Sequence, residues 1–166
     1  MDQPTRGPVR PRAAPKRGVT LEVHSYDVFG KKADGPGPDH AFVVIKDNRT
    51  GEQRVLRGGP NFSAGLPRVT AELHPWEQSR ERAVVTSGKD VTTLKSTWLP
   101  DTRGEDAFRR AEEYVNTYAD GWIPYRTDLN SNSVASGAYK MFTGSPLRDR
   151  ELWGAQHPLP APRPGK

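Results

Sequence analysis

Two polar residues of this chain have surroundings that suit nucleophilic or acid–base chemistry. Ser131 lies in segment 128–142, where Asn and Ser residues precede apolar residues at helical spacing. A hydroxyl in the first turn of a helix lies near unpaired backbone N–H groups and the positive end of the helix dipole. Its common use is capping, and its alternative use is as an activated nucleophile. His40 is the second residue, because it opens the apolar run 39–45 directly after a Gly/Pro-rich loop.

The chemical hypothesis pairs these two residues. A histidine at a strand edge is often a structural residue, but His40 would serve as a base if it lay beside Ser131. A carboxylate or amide should then orient the ring through its other nitrogen. We prefer Asn61 for that role, because a hairpin centred on residues 49–50 would bring it near His40. Arg57 and Asp27 are the alternatives.

The asparagines on either side of Ser131 have two possible roles. Asn130 and Asn132 would either cap the helix or donate hydrogen bonds to an oxyanion that forms on the substrate. Capping is the expected role for at least one of them, because Asn is among the preferred N-cap residues.

The elements that would position these residues indicate an α+β fold. Hydrophobic periodicity predicts strands over residues 20–29, 39–47, 53–57, 82–87 and 91–99, and helices over 104–118 and 131–142. Residues 62–79 show no regular pattern. The strands are joined mostly as antiparallel neighbours and both helices come late, so the sequence predicts an antiparallel sheet of about four to five strands packed against two main helices.

Composition limits the domain organisation and the class of partner. The 166 residues suffice for one domain, which we expect over 20–155, between a flexible Pro/Arg-rich leader (1–19) and a Pro-rich tail (156–166). The leader supplies most of the net charge of +5, so the folded part is nearly neutral and no nucleic-acid partner is predicted. There is no signal peptide and no apolar run of about 20 residues, so stable membrane insertion is not expected.

Metal and cofactor sites are not predicted either. The chain has no cysteine, and its four histidines are too widely spaced to form a local ligand motif. Gly58-Gly59-Pro60 lacks the Lys-Ser/Thr and the following helix of a phosphate-binding loop.

Three short motifs give a resemblance to a known group of proteins. The run 39–45 (DHAFVVI), the run 57–60 (RGGP) and the segment from Tyr125 through 130–135 (NSNSVA) resemble the motifs of papain-like toxin domains of bacterial polymorphic toxins and secreted effectors. The order of His before the nucleophile is also similar to permuted NlpC-like and lecithin:retinol acyltransferase-like enzymes. The resemblance covers about residues 20–145 and implies a papain-like fold.

The resemblance also implies an activity, a partner and a location. It implies a hydrolase or acyl transferase of the cysteine type, such as a protease, amidase or deamidase. A protein or peptide substrate is the first expectation, and a lipid-directed acyltransferase or phospholipase is an alternative. It further implies a cognate immunity protein and delivery into a target cell by a specialised secretion system.

Position 131 departs from the motif, because the family's nucleophile is cysteine and this chain has serine. A thiol ionises near neutral pH with modest help, whereas a serine hydroxyl needs a well-placed base throughout the reaction. Ser131 is therefore either a natural residue, inert or weakly active, or a replacement for cysteine that silences a thiol mechanism. A catalytically silent binding module with the same fold is the alternative function.

Overall fold

The computed structural model describes residues 17–28, 39–63, 65–87, 91–148, 152 and 154–162. Most of the predicted leader and of the Gly/Pro-rich loop before His40 lies outside these residues. The described elements are β1 (Val19–Asp27), β2 (Asp39–Asp47), β3 (Gln53–Asn61), β4 (Arg68–Pro75), a 3-10 helix (Trp76–Gln78), α1 (Arg80–Thr86), β5 (Val91–Leu99), α2 (Gly104–Tyr118), β6 (Ile123–Pro124) and α3 (Ser131–Thr143).

The strands form one sheet in the order β5-β1-β2-β3-β4-β6, and every neighbouring pair is antiparallel. The predicted α+β class is confirmed. The described part of the chain has six strands and three α-helices, more than the four to five strands and two main helices that the sequence predicted.

The strand predicted over residues 82–87 is wrong, because this segment belongs to helix α1. Ser79 is the N-cap residue, and its Oγ accepts a hydrogen bond from the Arg82 backbone N–H at 3.0 Å. The β-branched residues Val84 and Val85 favour a strand by propensity alone, but the cap and the packing of α1 on the sheet determine the structure.

The sequence did not predict the continuation of β3, the strand β4 or the short strand β6. The strand predicted over residues 53–57 continues as β3 through Gly58, Gly59 and Pro60, and β4 pairs with it from Asn61↔Arg68 to Arg54↔Pro75. Prolines near both ends of β4 hid it in the sequence, because proline usually marks a turn or a strand boundary.

The two faces of the sheet carry apolar cores of different size. Along β2, Ala41, Val43 and Ile45 belong to the main core with α2 and α3, whereas Phe42 and Val44 belong to a smaller core on the opposite face. Residues from the 3-10 helix and α1 cover that smaller core. The alternation follows from the two-residue period of a strand, and it explains why the apolar run of β2 is continuous.

Residues 154–162 pack against α3 and α2. Ser133 Oγ donates to the Gly154 carbonyl at 2.9 Å, the Leu159 backbone N–H donates to the Ser133 carbonyl at 3.1 Å, and Tyr118 Oη donates to the Pro160 carbonyl at 2.5 Å. This packed segment includes residues 156–162 of the predicted Pro-rich tail. Two of these bonds fix the segment to the first turn of α3.

Candidate active site

Ser131 is the first residue of α3, and the helix is capped by its neighbours. Asn130 is the N-cap, and its Oδ1 accepts from the Asn132 backbone N–H at 2.8 Å. Ser133 Oγ in turn accepts from the Asn130 backbone N–H at 3.2 Å, which completes a capping box. The Ser131 hydroxyl takes no part in this cap and makes no hydrogen bond with other residues that the structure describes.

Asn132 ties the start of α3 to the start of β2. Its Oδ1 accepts from the Ala41 backbone N–H at 2.8 Å, and its Nδ2 donates to the Asp39 carbonyl at 2.8 Å. These are the main-chain groups on either side of His40. The ladder between β2 and β3 begins only at Phe42↔Arg57, so the Asn132 amide supplies the hydrogen bonds that β2 would otherwise lack here. The residue next to Ser131 thus contacts both neighbours of His40.

Gly58 allows α3 to approach β3 closely. A Cβ atom at position 58 would lie 2.8 Å from Ser131 Cα and 2.7 Å from Val134 Cβ, which is too close for any side chain. At Gly59 a Cβ would meet nothing within 4 Å. Among the two glycines of the Gly-Gly-Pro motif, it is therefore Gly58 that the helix start requires.

The His40 ring lies on the same face of the sheet as Phe42, which is the face opposite the one that packs against α3. Tyr26 is its cross-strand neighbour, and the two rings meet edge-on with centroids 5.3 Å apart. The side chain is 11% exposed, and its Nε2 lies 3.5 Å from Oε1 of Glu81, which is fully buried. Nε2 is buried and makes no hydrogen bond with the described residues, so its 3.5 Å approach to Glu81 is longer than a well-formed hydrogen bond.

The Glu81 carboxylate lies between the His40 ring and the Arg57 guanidinium. Arg57 Nη1 lies 3.6 Å from the same Oε1 atom, and its Nη2 binds the Glu72 carboxylate at 2.5 Å. Burial raises the pKa of the Glu81 carboxyl, but His40 and the Arg57 charge outweigh it, so the pKa lies below its ordinary value. An ionised Glu81 beside the ring can orient His40.

The side chain that the structure places at the His40 ring is not Asn61, which the sequence favoured. Asn61 Oδ1 accepts from the Ser63 backbone N–H at 2.9 Å, so its side chain serves the turn after β3. Glu81 instead lies at the His40 ring. Arg57, one of the sequence alternatives, reaches the site through Glu81. A usable signal for Glu81 was the Ser79 cap two residues earlier, which predicts a helix start there.

A cleft of about 500 Å³ opens at the start of α3. It is lined by Val28, Asp39, Tyr125, Arg126, Thr127, Asn130, Ser131 and Asn132. Ser131 itself is only 7% exposed, so a reacting group would have to enter the cleft to meet it. The volume lies within the range of clefts that bind small ligands or single segments of a larger one.

No protein-family model matches the chain, and no curated protein and no solved structure matches it. In the part of the chain that the structure describes, no helix has both the length and the apolar character needed to span a bilayer. Among the same residues, no group of three or more His, Asp or Glu side chains is arranged to hold a metal ion.

Proposed function

We propose that this chain carries a papain-like hydrolase site in which position 131 is the nucleophile, His40 the base and Glu81 the residue that orients the base. The observation that carries the proposal is the Asn132 amide, which binds the main chain on both sides of His40 at 2.8 Å while adjoining residue 131. This amide brings the two main chains together, and the proposal requires the His40 ring, which lies on the face of the sheet opposite α3, to reach residue 131 at the end of β2. The buried Glu81 carboxylate, 3.5 Å from His40 Nε2, is the supporting feature.

The arrangement suits a thiol nucleophile at the first turn of a helix. The positive end of the α3 dipole and a protonated His40 would both lower the pKa of a cysteine at position 131. The thiolate would attack the carbonyl carbon of an amide, and His40 would give its proton to the departing amine. Water, deprotonated by His40, would then hydrolyse the acyl-enzyme and restore the thiol. Serine at this position has a much higher pKa and would react far more slowly.

The expected substrate is an amide in a protein or peptide. Its support is the open cleft at residue 131, which is lined by both polar and apolar side chains. The role as a bacterial toxin or effector, the cognate immunity protein and the delivery into a target cell rest on the motif resemblance alone.

The test is to replace Ser131 by cysteine, which gives the chain its only thiol. We expect S131C to hydrolyse fluorescently labelled unfolded casein, with a rate at least ~100-fold above that of S131C/H40A. Mass spectrometry should detect an acyl-enzyme on residue 131. S131A is the matched control for background hydrolysis. A folded S131C protein that neither hydrolyses the substrate nor reacts with thiol-directed probes would refute the proposal.

The second candidate function is a catalytically silent binding module that uses the same cleft. The serine at position 131 and the low exposure of the His40 side chain, 11%, favour it. In that case unmodified chain and S131C would bind the same ligand equally well, and neither would turn it over.

A further inference from the structure

Residues 154–162, which we call the strap, contact both residues of the capping box that starts α3. Gly154 has a φ of +87° and faces the N-cap side chain, and a Cβ atom there would lie 2.6 Å from Asn130 Oδ1. The Gly154 carbonyl accepts from Ser133 Oγ at 2.9 Å, and that same oxygen accepts the Asn130 backbone N–H. The Asp128 carbonyl lies 3.2 Å from Ser133 Oγ, so Gly154 is the closer acceptor for the single hydroxyl proton.

The strap also covers this cap. Asn130 is 7% exposed and Ser133 is fully buried. The Leu159 backbone N–H donates to the Ser133 carbonyl at 3.1 Å, and the Leu159 side chain belongs to the main core. Further along α3, Ser136 Oγ donates to the Ala155 carbonyl at 2.7 Å. Because the strap lies on these groups, its departure would expose the cap to water, which competes for the same hydrogen bonds.

The strap is held less extensively than the strands of the sheet. Pro158, Pro160 and Pro162 have no backbone N–H to donate. The strap is joined to the helices by the isolated bonds given above and by Tyr118 Oη, which donates to the Pro160 carbonyl at 2.5 Å. By contrast, β2 pairs with a neighbouring strand on each side. A segment that depends on isolated bonds opens at a lower free energy than a central strand.

We infer that the strap and the cap of α3 form one cooperative unit that opens before the sheet unfolds, and that the docked strap holds residue 131 in place at the cleft. Ser131 lies between the two residues of the capping box, so a loosened cap loosens the residue that lines the cleft. The strap is therefore a conformational control on the candidate site. Its effect on reactivity rests on the proposed function, whereas the joint opening requires no catalysis.

The test is native-state hydrogen exchange of the full chain with Ser131 in place, followed by NMR. The reporters are three backbone amides: that of Leu159 in the strap, that of Asn130 in the cap and that of Val44 in β2. We expect the Leu159 and Asn130 amides to exchange with one common opening free energy, which is lower than that of the Val44 amide.

A pair of tyrosine variants identifies the bond that controls this opening. Y118F removes the hydroxyl that binds the Pro160 carbonyl and changes no residue of the strap or the cap. Y139F is the matched control, because Tyr139 Oη lies 2.8 Å from Thr97 Oγ1 and so links α3 to β5 rather than to the strap. We expect Y118F to speed exchange at both the strap and the cap reporters by the same factor, about fivefold, and Y139F to change either by less than about twofold.

Three results would overturn the inference. Faster exchange at Leu159 in Y118F, without a matching change at Asn130, would show that the strap moves without the cap. Opening free energies equal to that of Val44 would show that both open only when the whole fold unfolds. Equal effects of Y118F and Y139F on the two reporters would show that the strap bond has no particular role. If the joint opening is found but S131C stays inactive, the strap stands and the proposed hydrolase fails.

Discussion

The N-termini of α2 and α3 show how differently one fold can use the start of a helix. At α2 the N-cap residue Arg103 makes no side-chain cap, and the buried Asp47 carboxylate lies against Gly104, where any side chain would collide with it. At α3 the capping box comes from Asn130 and Ser133, and the hydroxyl between them is left unused.

We therefore interpret the start of α2 as structural and the start of α3 as a candidate reactive site. The cleft at α2 is the larger, about 660 Å³, yet the protein's own Asp47 already supplies the negative charge that a helix start favours. The cleft at α3 is about 500 Å³, and the helix start there faces it without a carboxylate cap. The chemistry of the residues at the helix start is therefore a better guide to function here than the size of the cleft.

The largest loss of stability is expected when the hydrogen bonds that link α3 to β2 are removed. N132A removes the two hydrogen bonds to Asp39 and Ala41 and leaves buried main-chain groups unpaired, so we expect a loss of about 2–4 kcal/mol in the free energy of unfolding. The matched control is N61A, because among the described residues the Asn61 amide binds the Ser63 N–H of its own turn, and its removal should cost less than about 1 kcal/mol. Urea unfolding measures both, and equal losses would refute the special role of Asn132.

A smaller loss of stability is expected from a substitution that pushes α3 away from β3. G58A would force Ser131 and Val134 away from the strand and should destabilise the fold by about 1–3 kcal/mol. G59A adds the same methyl group into open space and should change stability by less than about 0.5 kcal/mol. Thermal or urea unfolding of the two variants gives the comparison. A G58A protein as stable as G59A would contradict the close approach of the helix.

The smallest loss of stability is expected from substitution of Asp47, which lies beside the start of α2. Burial raises the pKa of the Asp47 carboxyl, but hydrogen bonds from Arg49 and Thr50 and the Arg49 charge outweigh it, so the pKa is lowered on folding. The stability that this carboxylate contributes is therefore present above its unfolded pKa of about 3.9 and is lost as the pH falls through the lower folded pKa.

The variant D47N should accordingly lose about 1 kcal/mol at pH values near 7. The difference from the unmodified chain should shrink as unfolding is measured at progressively lower pH, below about 4. Glu81, whose pKa is also lowered, is present in both proteins and cancels in the comparison. A difference that stays constant or grows on acidification would show that the charge of Asp47 does not contribute to stability.

The sequence predicted much of this organisation but missed the carboxylate that lies beside His40. The α+β class and the helices of α2 and α3 followed from their hydrophobic spacing, and His40 and Ser131 stood out by residue type and position. Glu81 did not, because the valines of α1 favoured a strand and hid the helix that carries the carboxylate. Its contact with His40 joins residues 41 positions apart, which no local pattern encodes. The strand β4 was not predicted because prolines lie near both of its ends. It forms because it pairs with β3.

The central claim, that position 131 and His40 form one reactive unit, is tested most directly by the pH dependence of alkylation at a single thiol. The rate of S131C alkylation by iodoacetamide should report a thiol pKa at least about one unit below the ordinary value of ~8.5, and S131C/H40A and S131C/E81Q should move it back towards that value. S63C, on an exposed turn residue, supplies the reference profile. A profile for S131C that matches S63C and is unchanged by H40A would contradict the account.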